Sequence, residues 1–202
     1  MSRAESVHLF PDVHEALGIR IPDLGCIMAD VEPIPVLDYA ADAGLDPDRD
    51  LYVSPNLAER FWINGAVGES GAHVTLLYGL MQPGPVWRDH VDVLLADIDL
   101  TTVTVEHVGI FDSPYPDEPY KCIVAHLKLT PALLKAHARL SYLPHINTFP
   151  EYRAHVTLAY VKDQLSGVDW AATTAEAWVR ALQAPLRDAP LAITGLDYGG
   201  RS

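Results

Sequence analysis

Positive charge is scarce in this sequence: 14 Lys and Arg residues stand against 27 Asp and Glu residues, for a formal net charge of −13. The basic residues are scattered singly and form no run of the kind that grips long nucleic acid. An acidic protein can still hold a small nucleotide in a locally positive pocket. The charge balance therefore disfavours a long nucleic acid as a partner and favours a small ligand.

Cysteine and long apolar runs are lacking as well. The two cysteines, Cys26 and Cys122, are too few for a disulfide framework, and their apolar surroundings predict buried free thiols. Apolar runs fall short of the roughly 18 residues that a membrane helix needs, and the polar segment from Met1 to Arg20 does not resemble a secretory signal. We therefore expect a cytoplasmic protein with no membrane partner.

The overall composition is that of an ordinary globular protein. Of the 202 residues, 49% are hydrophobic and 20% are charged, which predicts one domain over 1–202 with a sizeable core. The segment 1–50 is rich in proline, which excludes a long helix there and predicts loops packed on the body. Within that segment, 24–31 has the apolar pattern of a strand.

The chain repeats one chemically loaded phrase, His-Val-Thr-Leu-x-Tyr, starting at His73 and again at His155. Both copies lie in strand-like surroundings, and alternate residues of a strand point to the same face. Each copy therefore sets its histidine beside its threonine, Thr75 or Thr157, while valine and leucine point to the other face. If the two strands are neighbours, the fold brings together two imidazoles and two hydroxyls, which suits acid–base chemistry on a phosphate.

The same alternation places the tyrosine that ends each phrase, Tyr78 or Tyr160, on the face of the valine and the leucine. We therefore expect both tyrosines to pack within the sheet or the core. Among the histidines outside the two phrases, His107 and His126 lie on paired predicted strands. We expect those two imidazoles to be structural, and the alternative is that they face the cleft.

The order of predicted elements indicates an α+β fold. The two motif strands open similar strand-then-helix segments about 80 residues apart. This order predicts a pseudo-symmetric, two-lobed domain in which antiparallel sheets line a central cleft and helices lie on the outside. From the first motif onward the predicted elements are strand 72–80, helix 86–98, strands 101–111 and 120–129, helix 130–143, strand 152–161, helix 172–183 and strand 191–198.

The paired motifs resemble the signature of the 2H phosphoesterase superfamily, which includes bacterial 2′-5′ RNA ligase-like proteins and cyclic nucleotide phosphodiesterases. That signature is two His-x-Thr or His-x-Ser motifs on strands at a similar separation, and the resemblance covers 71–198. It implies that His73 and His155 flank the scissile phosphate. It also implies that Thr75 and Thr157 donate hydrogen bonds to the non-bridging oxygens of that phosphate.

One feature before the second motif departs from the superfamily pattern. Many members have an aromatic residue and a proline just before the second histidine, whereas this chain has Tyr152, Arg153 and Ala154. Tyr152 partly replaces the aromatic residue. The absent proline affects the local backbone more than the chemistry.

Four further residues are candidates for substrate binding. Arg153 shares strand parity with His155, so it can meet a phosphate oxygen or form a surface ion pair. Tyr152 is adjacent to it. Trp62 and Tyr115 lie in or beside predicted loops, from which an aromatic ring can stack on a base.

Together these features predict a metal-independent phosphodiesterase that needs no cofactor and acts on a small nucleotide. The candidate substrates are a 2′,3′-cyclic phosphate, a 2′-5′ or 3′-5′ linkage, and a cyclic oligonucleotide signal. One imidazole would accept a proton and the other would supply one, and either histidine can fill either role. Two alternatives remain open, a catalytically silent nucleotide-binding module and an enzyme that processes RNA ends. A metal site on His73 and His155 is disfavoured because threonine is a poor ligand and neither motif carries Asp, Glu or Cys at coordinating spacing.

Overall fold

The computed structural model describes residues 24–53, 65–113, 119–147, 149 and 151–199, and in these it has six strands and five α-helices. The strands are β1 (Gly25–Val31), β2 (His73–Leu80), β3 (Thr102–Asp112), β4 (Tyr120–Leu127), β5 (His155–Lys162) and β6 (Pro190–Gly199). The helices are α1 (Val36–Asp42), α2 (Pro47–Asp50), α3 (Arg88–Leu95), α4 (Pro131–Leu140) and α5 (Thr174–Leu186). From the first motif onward, the predicted order of strands and helices is confirmed.

The six strands form one closed ring, in the order β1-β2-β5-β4-β3-β6, and every neighbouring pair is antiparallel. The mixed, antiparallel character of the predicted fold is therefore confirmed. The strands of the two motifs are neighbours in this ring. The pseudo-symmetric, two-lobed arrangement and the central cleft remain predictions.

The two motif strands are anchored by the residues that alternate with the histidines and threonines. Val74, Leu76, Val156 and Leu158 are fully buried in the core. Burial of a side chain of this size contributes about 1.5–3 kcal/mol relative to exposure. The valine and leucine of each phrase thus hold its strand in place, as the alternation predicts.

Local capping signals explain where two of the helices begin. Thr130 accepts a hydrogen bond from the backbone N–H of Leu133, and Pro131 occupies the first turn of α4. Helix α5 starts at a capping box, in which Thr173 and Glu176 each bind the other's backbone N–H. That box places the start of α5 two residues after the predicted one.

The proline-rich segment is more ordered than the sequence predicts. Strand β1 is confirmed, but α1 and α2 occupy positions that the proline pattern assigns to loops. Both helices are short: α1 starts directly after Pro35, and α2 starts at Pro47, whose missing N–H costs nothing in a first turn. Asp46 caps α2 by accepting a hydrogen bond from the N–H of Arg49.

The two cysteines are free and half-buried. Burial raises the pKa of Cys26 to about 11 and that of Cys122 to about 12, so both thiols are protonated near neutral pH. No helix in the described ranges combines the length and the apolar composition needed to span a membrane.

Candidate active site

Strands β2 and β5 bring the two histidine–threonine motifs side by side. Val74 is paired with Val156, and the strands are antiparallel. One step from that pair, Thr75 therefore lies beside His155 and His73 lies beside Thr157. The two valines point into the core, and the four polar side chains share the other face, where each is half-buried. The structure thus brings together the four predicted site residues, whose catalytic role remains a prediction.

Both histidines are held in the same tautomer. The Nδ1 atom of His73 lies 2.8 Å from the carbonyl oxygen of Gly71, and Nδ1 of His155 lies 2.7 Å from the carbonyl oxygen of Arg153. A carbonyl oxygen only accepts hydrogen bonds, so each Nδ1 carries a proton and donates it. The Nε2 atom of each ring is therefore the atom that gains or loses a proton.

The surroundings of the two imidazoles differ in charge. Asp30 on β1 is the cross-strand partner of His73. Burial and the neighbouring Asp197 raise the pKa of Asp30, and the charge of His73 acts against them by lowering it. An acidic side chain thus stands next to His73 on the neighbouring strand.

His155 lies in less polar surroundings. Burial lowers the pKa of His155 most, the hydrogen bond to the Arg153 carbonyl raises it, and the charge of His73 lowers it further. Its cross-strand partner on β4 is His126, which is not acidic. The imidazole of His155 is therefore neutral, and able to accept a proton, near pH 7.

The tyrosines that end the two phrases lie on the same face as the histidines, so the prediction that they share the face of the valine and the leucine is wrong. The expectation of packing within the sheet is confirmed for Tyr160, whose ring packs against Tyr120 on β4 with centroids 5.2 Å apart. Each motif strand has a β-bulge at its leucine: Leu76 is passed over in the pairing of β2 with β1, and Leu158 in the pairing of β5 with β4. The extra residue shifts the alternation by one. Tyr78 and Tyr160 are consequently returned to the polar face and are half-buried there.

The four residues proposed for substrate binding have separate outcomes. Arg153 is exposed, and its guanidinium forms an ion pair with Glu151 at 3.1 Å. Of the two predictions for Arg153, a phosphate contact or a surface ion pair, the structure shows the ion pair. An exposed pair of this kind is weak, so it leaves Arg153 able to exchange its partner for a phosphate. Trp62 and Tyr115 lie outside the described residues.

Tyr152 supports strand β2. Its ring stacks on His137 with centroids 3.9 Å apart and planes 6° apart, and its hydroxyl donates to the carbonyl oxygen of Thr75 at 3.2 Å. His137 in turn binds the carbonyl oxygen of Leu76 through Nδ1 at 2.7 Å. Both the ring and the hydroxyl of Tyr152 are used in these contacts. We therefore infer that Tyr152 positions Thr75 on its strand. The predicted contact of Tyr152 with substrate stays a prediction.

Comparison with known proteins gives a match in structure and none in sequence. No protein-family model matches the sequence, and no curated protein matches it. Among solved structures, Kluyveromyces marxianus Usb1 aligns with a TM-score of 0.50 at 10% identity, over 89% of this chain and 95% of Usb1. The chain has the fold of Usb1.

A second structure of Usb1, solved with uridine monophosphate, aligns with a TM-score of 0.51 at 11% identity, over 91% of this chain and 97% of Usb1. The likeness to Usb1 is one of overall fold. Identity this low carries no assignment of individual residues.

Two features of the site were not predicted from sequence, although one left a signal. The bulges are visible as two consecutive apolar residues after each threonine, Leu76-Leu77 and Leu158-Ala159, which interrupt strict alternation. Asp30 left no such signal, because only the pairing of β1 with β2 places it beside His73.

Burial is the largest influence on the pKa of His155, and this predicts the pH at which His155 titrates. We expect His155 to titrate below the ordinary histidine value of about 6.5, because burial disfavours its charged form. In a His73→Asn variant one positive neighbour is removed, so the pKa of His155 should rise. It should stay below about 6.5, since burial is the larger cause. NMR titration of the ring resonances measures both values, and a wild-type value above 6.5 contradicts the described surroundings.

Proposed function

We propose that the protein is a metal-independent phosphodiesterase that hydrolyses a small nucleotide by paired-histidine acid–base catalysis. The observation that carries this proposal is the Val74–Val156 register, which interleaves two histidines and two threonines on one half-buried face. Both histidines also offer Nε2 to that face as the titrating atom. A coincidental repeat of His-Val-Thr-Leu has no reason to produce this arrangement.

The unequal surroundings of the histidines support a division of roles. His155, which is neutral near pH 7, takes a proton on Nε2 from the attacking water molecule as the new P–O bond forms. His73, beside Asp30, gives its Nε2 proton to the oxygen that leaves as the old P–O bond breaks. The two imidazoles have then exchanged protonation states, and exchange with water restores them. Asp30 is a positioning residue in this scheme, because it acts through His73.

The threonines suit the stabilisation of the phosphate. Thr75 and Thr157 are held by strands, so their hydroxyls are fixed before negative charge accumulates on the non-bridging oxygens. In this arrangement each hydroxyl lies beside the histidine of the other motif. One phosphate between the two strands can therefore meet all four side chains.

The fold likeness to Usb1, one structure of which contains uridine monophosphate, is an analogy that favours a nucleotide ligand. The net charge of −13 favours a small nucleotide over a long RNA. Processing of RNA ends is the second candidate, because it uses the same chemistry and the likeness to Usb1 is compatible with it. We further propose, from sequence composition alone, that the protein is cytoplasmic.

A substrate panel with EDTA present tests the proposal. The panel contains 2′,3′-cyclic nucleotides, 2′-5′ and 3′-5′ dinucleotides, cyclic di- and trinucleotides and a short RNA, with products resolved by chromatography. We expect turnover of at least one small nucleotide in EDTA. Binding without turnover of any compound would show a silent nucleotide-binding module. Activity that EDTA abolishes and added metal restores would contradict metal independence.

Replacing either threonine should slow the chemical step. Thr75→Val and Thr157→Val keep the side-chain shape and remove the hydroxyl that faces the phosphate. Loss of one such donor costs about 10²–10³-fold in kcat. Thr102→Val is the matched control, since Thr102 is an exposed strand threonine on β3. Steady-state kinetics measure the effect, and a kcat unchanged from wild type in both site variants would exclude the threonines from the reaction.

A further inference from the structure

Beyond His155 the sheet carries a row of aromatic side chains that the proposed reaction does not use. Strand pairing sets His126 on β4 opposite His155, and His107 on β3 opposite His126. The rings of His107 and His126 stack, with centroids 4.4 Å apart and planes 16° apart. Phe111 on β3 meets the ring of His126 at 5.2 Å and that of His155 at 4.9 Å, edge to face in both cases. The rings of His107, His126, Phe111 and His155 thus form one connected surface. This surface ends at His155, the proposed proton acceptor.

The ring of His126 occupies space beside Gly109 that is free only because glycine has no side chain. A Cβ atom at Gly109 would lie 2.8 Å from Nε2 of His126, so the ring of His126 rests where any other residue would place a side chain. Gly109 stands between His107 and Phe111 on the same face of β3. The position of His126 between these two rings therefore depends on the glycine.

The imidazole of His126, in the middle of the row, is neutral near neutral pH. Burial lowers the pKa of His126, and so do the charges of His107, His155 and Arg153, while Glu106 raises it. A neutral imidazole stacked on a second ring presents a π-face and no fixed charge. Such a face suits a nucleobase better than a phosphate.

The outer end of the row is open to solvent. The side chain of His107 is 52% exposed, whereas His126 and Phe111 are half-buried. Neighbouring strands are about 4.8 Å apart, so the row extends roughly 10 Å sideways from His155. A sugar and base attached to a phosphate at the two motifs span a comparable length.

We propose that His107, His126 and Phe111 form a stacking platform for one nucleobase of the substrate, on the His155 side of the scissile phosphate. This inference rests on the proposed function and names its substrate class more narrowly. The substrate is a nucleotide that is recognised through its base as well as its phosphate.

The test compares a nucleotide with a base-free analogue. Adenosine 2′,3′-cyclic phosphate and methyl ribofuranoside 2′,3′-cyclic phosphate share the reacting group, and only the first has a base. Because His107 does not contact His155 in the row, we expect His107→Ala to raise KM for the nucleotide about 10-fold and to leave kcat unchanged. The same variant should leave both constants unchanged for the base-free analogue. His107→Phe, which keeps a ring but no titratable nitrogen, should retain the wild-type KM.

The matched control is Ile110→Ala, because Ile110 belongs to the same strand, is partly exposed and points to the opposite face. Equal losses on both substrates in His107→Ala would indicate contact with the phosphate or sugar and would overturn the platform. An unchanged KM in His107→Ala, or a loss in His107→Phe as large as in His107→Ala, would overturn it too.

A binding measurement separates failure of the platform from failure of the proposed function. Calorimetry compares the binding of AMP with that of ribose 5-phosphate, which lacks the nucleobase. This measurement does not depend on turnover. The platform predicts that AMP binds more tightly than ribose 5-phosphate and that His107→Ala removes the difference. If the wild type hydrolyses nothing, the proposed reaction fails while this comparison still decides the platform. Equal binding of the two ligands by the wild type overturns the platform.

Discussion

His73→Asn and His155→Asn are each expected to lower kcat/KM by about 10²–10⁴-fold, the usual contribution of a positioned proton donor or acceptor. Asparagine retains an N–H that can bind the carbonyl oxygen of Gly71 or Arg153, so the strand end keeps its local hydrogen bond. What disappears is Nε2, the atom that carries the exchanged proton. Steady-state kinetics on the best compound of the substrate panel measure the loss, and circular dichroism checks that the fold is retained.

His145 supplies a matched control for these substitutions. Its Nδ1 binds the carbonyl oxygen of Leu143 at 2.9 Å, two residues earlier in the chain, as in both motif histidines. It lies outside the two motif strands. His145→Asn should therefore leave kcat/KM within about twofold of wild type, and full activity in His73→Asn or His155→Asn would contradict paired-histidine catalysis.

A substrate with a good leaving group distinguishes the two roles. The p-nitrophenolate ion leaves without a proton, so a nucleotide p-nitrophenyl ester needs a base and needs no acid. On that ester His73→Asn should regain most of its lost rate, whereas His155→Asn should stay impaired. The reverse pattern would exchange the roles of the two histidines. An equal loss in both variants would show that neither acts only as the acid.

The parts of the fold that depend on local sequence are the parts that the sequence predicts well. Thr130 and Pro131 mark the start of a helix by short-range hydrogen bonding and a fixed φ angle, and the structure has that helix. The hairpin of β3 and β4 likewise follows from β-branched residues on either side of a turn. Such signals need no knowledge of what packs against them.

The parts that failed depend on distant pairing. Tyr78 changes face because β2 carries one more residue than β1 at Leu76, and alternation within β2 alone cannot show that mismatch. Asp30 meets His73 only because β1 is the neighbour of β2 in the ring. The same distinction applies to the site. Its histidines and threonines can be predicted from the sequence, whereas the position of Asp30 beside His73 follows only from the order of strands in the ring.

Gly79→Ala is expected to destabilise the fold by about 2–5 kcal/mol, as the sum of two effects. Gly79 has a φ of 96°, where an L-residue with a side chain is strained by about 1–2 kcal/mol. An added Cβ would also overlap the carbonyl oxygen of Ile146, whose N–H donates to the carbonyl oxygen of Gly79 at 2.8 Å. The segment 143–147 would have to move off the end of β2, and overpacking of this kind adds about 1–3 kcal/mol.

Two other glycines separate those effects when unfolding is followed in urea. Gly44 has a φ of 74° and open space around it, so Gly44→Ala should show the backbone strain alone, about 1–2 kcal/mol. Gly195 lies inside β6 and has neither a positive φ nor a close neighbour, so Gly195→Ala should stabilise the fold slightly, by about 0.5–1 kcal/mol. If Gly79→Ala is no less stable than Gly44→Ala, the segment 143–147 moves away from β2 without a measurable loss of stability. Because Gly79 follows Tyr78 directly, a larger loss would instead show that this segment fixes the end of the strand that carries His73 and Thr75.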